Sequence, residues 1–128
     1  MKKVLFVCIE NSCRSQMAEA FAKIHGMSRV EAYSSGSKPS GKVNEGAIET
    51  MKEIGYDLSK HHSKSLDEFR EMNFEYVVTM GCGDACPFIP AKHREDWEIP
   101  DPKNMPKDEF RKVRDAIDEQ VKELLAKI

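Results

Sequence analysis

Val4-Leu5-Phe6-Val7-Cys8-Ile9-Glu10-Asn11-Ser12-Cys13-Arg14-Ser15 is the stretch from which the rest of the chain can be read. Its aliphatic run shows no alternation, which predicts a central parallel strand, buried on both faces, from Lys3 to Cys8. Small polar residues break the run, and Met17, Ala18, Phe21, Ala22 and Ile24 then recur at helical spacing until Gly26 supplies a stop. Cys8 is thereby delivered into a tight loop whose backbone N–H groups, with the first turn of the following helix, form a cradle for an anion. A thiol held there is a candidate nucleophile, and Arg14, six positions on, is a candidate clamp for the same anion. Taken alone, the C-x5-R spacing also fits a buried strand cysteine followed by an ordinary helix-start arginine.

Outward from this unit, strands and helices alternate. Val30 to Ser34 reads as a second strand, and Ser35 to Gly41 as a loop able to border a site. Val43, Ala47, Ile48, Met51 and Ile54 predict a helix ending at Gly55, and Leu66 to Met72 a short helix with Asp67 and Glu68 in its first turn. Phe74 to Met80 is dense in β-formers. Gly81 to Pro90, with its glycines, prolines and two cysteines, reads as a functional loop or short helix. A further strand is expected near Asp96 to Ile99. From Lys107 to Ile128, Phe110, Val113, Ile117, Val121, Leu124 and Leu125 form one apolar stripe, and the charges fall on a solvated face. The pattern implies one α/β domain over residues 1–128 with a mostly parallel sheet and right-handed crossovers. Ligands in such sheets sit at the carboxyl ends of the strands, where Cys8, Gly81 to Cys86 and Asp101 can meet.

With 20 basic and 22 acidic residues among 128, the net charge of -2 supplies no global field for nucleic acid or an anionic membrane, so an anion must be held by local geometry. Lys2 and Lys3 precede an apolar stretch too short for a signal peptide, and no later stretch reaches membrane-spanning length. The expectation is a cytoplasmic monomer. In that compartment four cysteines are not structural staples; metal binding and transient redox chemistry are the readings to weigh.

Several motifs stand in order along the chain: the Cys8-x-x-Asn11-Ser12-Cys13-Arg14-Ser15 loop with Met17-Ala18-Glu19 after it, Tyr33-Ser34-Ser35-Gly36, Ala47 through Asp57-x-Ser59-x-His61, Val77-Val78-Thr79-Met80, Cys82 with Cys86-Pro87, and Asp101-Pro102. This set resembles the low-molecular-weight protein tyrosine phosphatase fold, and within it the arsenate reductase branch coupled to thioredoxin. The resemblance implies a three-layer α/β/α domain with a four-stranded sheet. It also implies that Cys8 is the nucleophile, that Arg14 holds two oxygens of a tetrahedral oxyanion, and that Ser15 donates to the cysteine sulfur. The oxyanion-binding loop is then Cys8, Ile9, Glu10, Asn11, Ser12, Cys13 and Arg14, braced by Asn11. A helix N-terminus and a guanidinium both favour the nucleophilic form of a thiol. Asp101 resembles the general acid of the family, although Asp before Pro is also ordinary turn punctuation.

Cys82 and Cys86 discriminate within the family. A phosphatase needs only Cys8, Arg14 and an acid, whereas reduction of arsenate to arsenite needs two electrons, which thiols supply by relaying a disulfide. By resemblance Cys82 attacks Cys8 and Cys86 resolves the resulting disulfide for thioredoxin or another thiol reductant. Structural burial or half a zinc site are the other readings of the pair, and zinc lacks a sufficient ligand set. Lys103-Asn104 stands where tyrosine phosphatases of this fold carry tyrosines, which favours a small inorganic oxyanion. The leading expectation is an arsenate reductase with no bound cofactor and no metal. The alternatives are a phosphatase acting through a Cys8 phosphoryl-enzyme, or a noncatalytic oxyanion-binding or redox-sensing module. Some relatives bind potassium with residues like Asn11, Glu19 and Ser34 plus an acid after the H-x-S motif; here Lys64 follows His61-His62-Ser63 in place of that acid, and its ammonium could replace the cation. Cys13 is either a partner for a protective disulfide with Cys8 or a small packed residue. Histidines 25, 61, 62 and 93 show no ligand spacing and read as structural or surface groups.

Overall fold

The computed structural model describes residues 1–81 and 89–128. The strands β1 (Lys2–Cys8), β2 (Val30–Gly36), β3 (Phe74–Thr79) and β4 (Ala91–Asp96) form one sheet in the order β2-β1-β3-β4. Every neighbouring pair is parallel. β1 lies in the interior of the sheet, and Val4 to Val7 are at most 1% exposed, as its unalternating apolar run requires.

Side chains alternate across the sheet and divide its core. Val4, Phe6 and Cys8 point to the face covered by three helices, α1 (Arg14–Gly26), α2 (Glu45–Lys52) and α3 (Lys107–Ala126). Leu5 and Val7 point to the opposite face, where Leu66 and Phe69 of a 3₁₀ turn (Leu66–Phe69) pack with Phe74, Val77 and Ile89. The apolar stripe of α3 is buried as its periodicity predicts, from Phe110 to Leu125. Arg114 joins it through donation to the Thr50 carbonyl and pairing with Glu53, which ties α3 to the end of α2. α2 is capped by Asn44, whose side chain accepts from Gly46 N at 2.8 Å.

Two expectations need correction. The short helix expected from Leu66 to Met72 is the 3₁₀ turn already described, with its N-terminus capped by Ser65. The fourth strand runs over Ala91–Asp96 rather than Asp96 to Ile99. Lys92, His93 and Arg94 are exposed, because β4 is the sheet's edge, and a charged edge strand carries no hydrophobic alternation by which to recognise it. Trp97 and Ile99, which suggested a strand, are core residues of the segment that leaves β4.

Candidate active site

β1 ends at Cys8 and α1 begins at Arg14, so the five residues between them turn the chain through a loop at the carboxyl edge of the sheet. The carbonyls of that loop are all engaged. Ile9 O accepts from Lys38 N at 2.8 Å, Glu10 O from Ser40 N and Ser63 Oγ, Asn11 O from Gln16 Nε2, Ser12 O from Asn44 N, and Cys13 O from Met17 N. In a trans peptide the N–H points opposite to the C=O. Tying these carbonyls to the surrounding loops and to α1 therefore faces the N–H groups of Glu10 to Arg14 the other way, an arrangement suited to an anion. Gly36 is required beside the loop, since a Cβ there would lie 2.6 Å from Ile9 O and 2.8 Å from Asn11 N.

Asn11 is the brace. It is fully buried and adopts φ 50°, a left-handed conformation that asparagine tolerates. Its Oδ1 accepts from Lys64 N at 2.7 Å and from Gln16 Nε2 at 2.9 Å, and its Nδ2 donates to Ser15 Oγ at 2.8 Å. Ser15 Oγ lies 2.8 Å from Cys8 Sγ, so its one hydrogen is available to a thiolate there while its oxygen accepts from Asn11. Gln16 and His61 extend the network. Gln16 Nε2 also donates to His62 O, so its Oε1 must accept from His61 Nδ1–H, leaving His61 Nε2 to accept from the Tyr56 hydroxyl at 2.6 Å. Burial pushes His61 below its ordinary value, against the opposing effect of Glu19, which suits this neutral tautomer. Gln16, Tyr56 and His61 were not legible as site residues, because the contacts that tie Tyr56 and His61 to the loop run from His61 and His62 to Gln16, 45 and 46 residues apart.

Arg14 is 7% exposed, with Nη1 donating to Ile99 O at 3.0 Å and Nη2 3.9 Å from Asp101 Oδ2. Asp101 also accepts from Lys103 N at 3.0 Å, a turn-type bond that leaves the carboxylate at the mouth of the loop. Cys8, Arg14 and Asp101 thus line one cavity of about 70 Å³ with Ile9, Glu10, Ser12, Cys13 and Lys103. Cys8 and Arg14 are buried, whereas the Asp101 side chain is 46% exposed. Ser15 stands behind the sulfur rather than in the cavity. Cys82 and Cys86 lie outside the described residues, as does most of the loop expected from Gly81 to Pro90.

Cys13 is buried, and its thiol is pushed up to about 12 by desolvation and by the nearby Asp101 and Cys8 charges. It stays protonated at neutral pH, which fits a packed residue and not a second nucleophile. Behind the loop, burial alone would raise the Glu19 carboxyl, but Lys64, Lys23, Ser34 and His61 together hold it below the ordinary carboxylate range. Lys64 Nζ lies 3.6 Å from Glu19 Oε1, Ser34 Oγ donates to that oxygen at 2.5 Å, and Lys23 Nζ lies 2.7 Å from Oε2. An ammonium therefore already stands against the carboxylate, and this donor set does not fit an added potassium ion.

Residues 3–128 match the family described as Low molecular weight phosphotyrosine protein phosphatase. The chain is 40% identical over 131 residues to the glutaredoxin arsenate reductase of Synechocystis sp., covering 100% of this chain and 99% of that protein. It is 44% identical over 120 residues to an arsenate reductase of Staphylococcus aureus, covering 91% and 90% of the two chains. Its fold superimposes with a TM-score of 0.90 on an arsenate reductase solved in the phosphate binding state, which is 40% identical and covered to 99% by 100% of this chain. With a buried cysteine and a buried arginine brought together by a tied loop, and these relationships along the whole chain, the protein belongs to the low molecular weight phosphotyrosine protein phosphatase family.

Proposed function

We propose that the protein reduces arsenate to arsenite by a cysteine relay and is regenerated by an external thiol reductant. The observation that carries this reading is the cavity over Cys8: at about 70 Å³ it is several-fold smaller than the roughly 300–1,000 Å³ of ordinary small-molecule pockets. None of the described residues lining it is aromatic, so among these it offers a tetrahedral oxyanion a fitted seat and an aryl group no stacking partner. Full-length similarity to arsenate reductases supports the same substrate.

Arsenate is held by the loop N–H groups and the planar Arg14 fork, which can bond two of its oxygens. Cys8 Sγ forms a bond to As(V), and the oxygen opposite leaves as water on taking the Asp101 proton. Cys82 thiolate then attacks Cys8 Sγ. The sulfur–arsenic electron pair stays on arsenic, which departs as arsenite, and the two electrons lost by the sulfurs appear as a Cys8–Cys82 disulfide. Cys86 displaces Cys8 to form Cys82–Cys86, and a thioredoxin or glutaredoxin dithiol reduces that disulfide. The thiol supply places the reaction in a reducing cytoplasm, with residues 1–128 acting as one monomeric domain.

The test is arsenate-dependent NADPH oxidation with thioredoxin and thioredoxin reductase in one arm, and glutathione, glutaredoxin and glutathione reductase in the other. Turnover in either arm that is abolished by Cys8→Ser is the expected result, since a serine hydroxyl does not ionise near neutral pH. Absence of arsenate turnover in both arms, alongside brisk hydrolysis of para-nitrophenyl phosphate, would overturn the reading in favour of a phosphatase.

A further inference from the structure

Glu10 and Lys103 belong to two cavities at once. With Ser12 they line the 70 Å³ cavity over Cys8, and the same three residues line an adjoining groove of about 490 Å³ that runs past Lys42, Asn44 and Met105 to Phe110. Between the two spaces Lys103 Nζ sits 3.2 and 3.3 Å from the two carboxylate oxygens of Glu10, joining the anion loop to the segment that follows Asp101. The backbone of Lys103 is held in turn by Asp101 Oδ1.

We propose that this ion pair is the specificity-determining wall of the site, admitting unesterified tetrahedral oxyanions and rejecting their organic esters. The inference rests on reading the Cys8 cavity as an oxyanion site. Attack by a sulfur at the floor requires the departing oxygen to point away from it, toward the mouth where Asp101, Glu10 and Lys103 stand. A hydroxide at that position needs no further room. An aryl or alkyl group on that oxygen that extends into the groove meets the Glu10–Lys103 pair, whose two side chains line both spaces. Either side chain removed, the cavity and the groove become one continuous space. The pair is half exposed, so separating its charges costs little and the discrimination is graded.

Binding of inorganic phosphate and of phenylphosphonate, measured by calorimetry on the reduced full chain, tests the wall without requiring turnover. These anions carry nearly the same charge, so loss of either wall charge shifts both affinities together. Glu10→Ala strengthens both by removing a carboxylate, and Lys103→Ala weakens both. Loss of the wall also adds a term for the phenyl ligand alone, so in both variants the preference for phosphate narrows by about fivefold, the limit set by an exposed ion pair. A narrowing in both variants supports the wall. Equal shifts for the two ligands, or a narrowing confined to one variant, overturn it while leaving the oxyanion site intact. Failure of the wild type to bind either anion overturns the wall together with the oxyanion reading.

Discussion

Gly81→Ala should disable the site without replacing any group that performs chemistry. Gly81 has φ 75°, and a Cβ built on it would collide with Arg14 Nη1 and stand 3.3 Å from Cζ. The guanidinium has to retreat by about 1 Å to restore ordinary van der Waals separation. That nitrogen is the donor to Ile99 O, and Arg14 is buried, so the movement displaces the guanidinium proposed to clamp the oxyanion instead of being absorbed by solvent. The left-handed backbone costs about 1 kcal/mol for alanine, which lowers Tm by about 3–6 °C in a chain of this size. A misplacement of that order at a reacting centre costs about 100-fold in kcat/KM. Gly55→Ala is the matched control, because Gly55 has φ 88° and nothing within 4 Å of its Cβ position, so it shares the strain and lacks the collision. Initial rates with arsenate, Tm, and phosphate affinity, which does not involve the thiol relay, should be measured on both variants. A Gly81→Ala protein within threefold of wild type in both kcat/KM and phosphate affinity would refute the argument, as would an equal loss in Gly55→Ala.

Cys82→Ser and Cys86→Ser should each lose multiple turnover with arsenate while retaining phosphate affinity, and Cys86→Ser should release arsenite once and leave a Cys8–Cys82 disulfide detectable by peptide mapping. Continuous thioredoxin- or glutaredoxin-linked turnover in Cys86→Ser would remove Cys86 from the relay. Alkylation of the native reduced protein by iodoacetamide at pH 7.5 should modify Cys8 and spare Cys13, whose thiol sits at about 12, and mass spectrometry showing prompt labelling of Cys13 would contradict its burial. Acid should loosen the back of the loop in two stages. The folded values of His61 and Glu19 both lie below their ordinary 6.5 and 4.5, so the unfolded chain binds more protons and stability falls as pH drops, first below about 6.5 and then below about 4.5. Tm measured from pH 7.5 to 4 should show the upper stage in the wild type and not in His61→Gln; a wild-type Tm independent of pH between 7 and 5 would contradict the buried neutral His61. Lys64→Met removes one of the cations facing the buried Glu19 carboxylate and should cost about 1–3 kcal/mol in urea unfolding, with no loss if Lys23 alone suffices.

The sequence by itself determined what depends on local pattern. The apolar run from Val4 to Cys8, the helical spacing from Met17 to Ala22 and the stripe from Phe110 to Leu125 reflect burial of a strand or of one helix face, and periodicity records that burial directly, whereas Ile24, on the same spacing, is exposed. Cys8, Arg14 and Ser15 were legible as a cluster because loop and helix start are contiguous in the chain. Only the tertiary structure decided the rest. β4 is a charged edge strand whose pairing with β3 through the backbone leaves its side chains free to be polar. Carbonyls from Ile9 to Ser12 are fixed by partners at Gln16, Lys38, Ser40, Asn44 and Ser63, so the inward aim of the loop N–H groups depends on residues that no spacing connects to Cys8. His61, with no ligand spacing to single it out, became a brace only when the fold brought it to Gln16, and Lys103 met Glu10 only because two loops end at the same sheet edge. Side-chain hydrogen bonds and ion pairs between distant segments leave no periodic trace, since one partner fixes neither the identity nor the position of the other until the chain has closed around them.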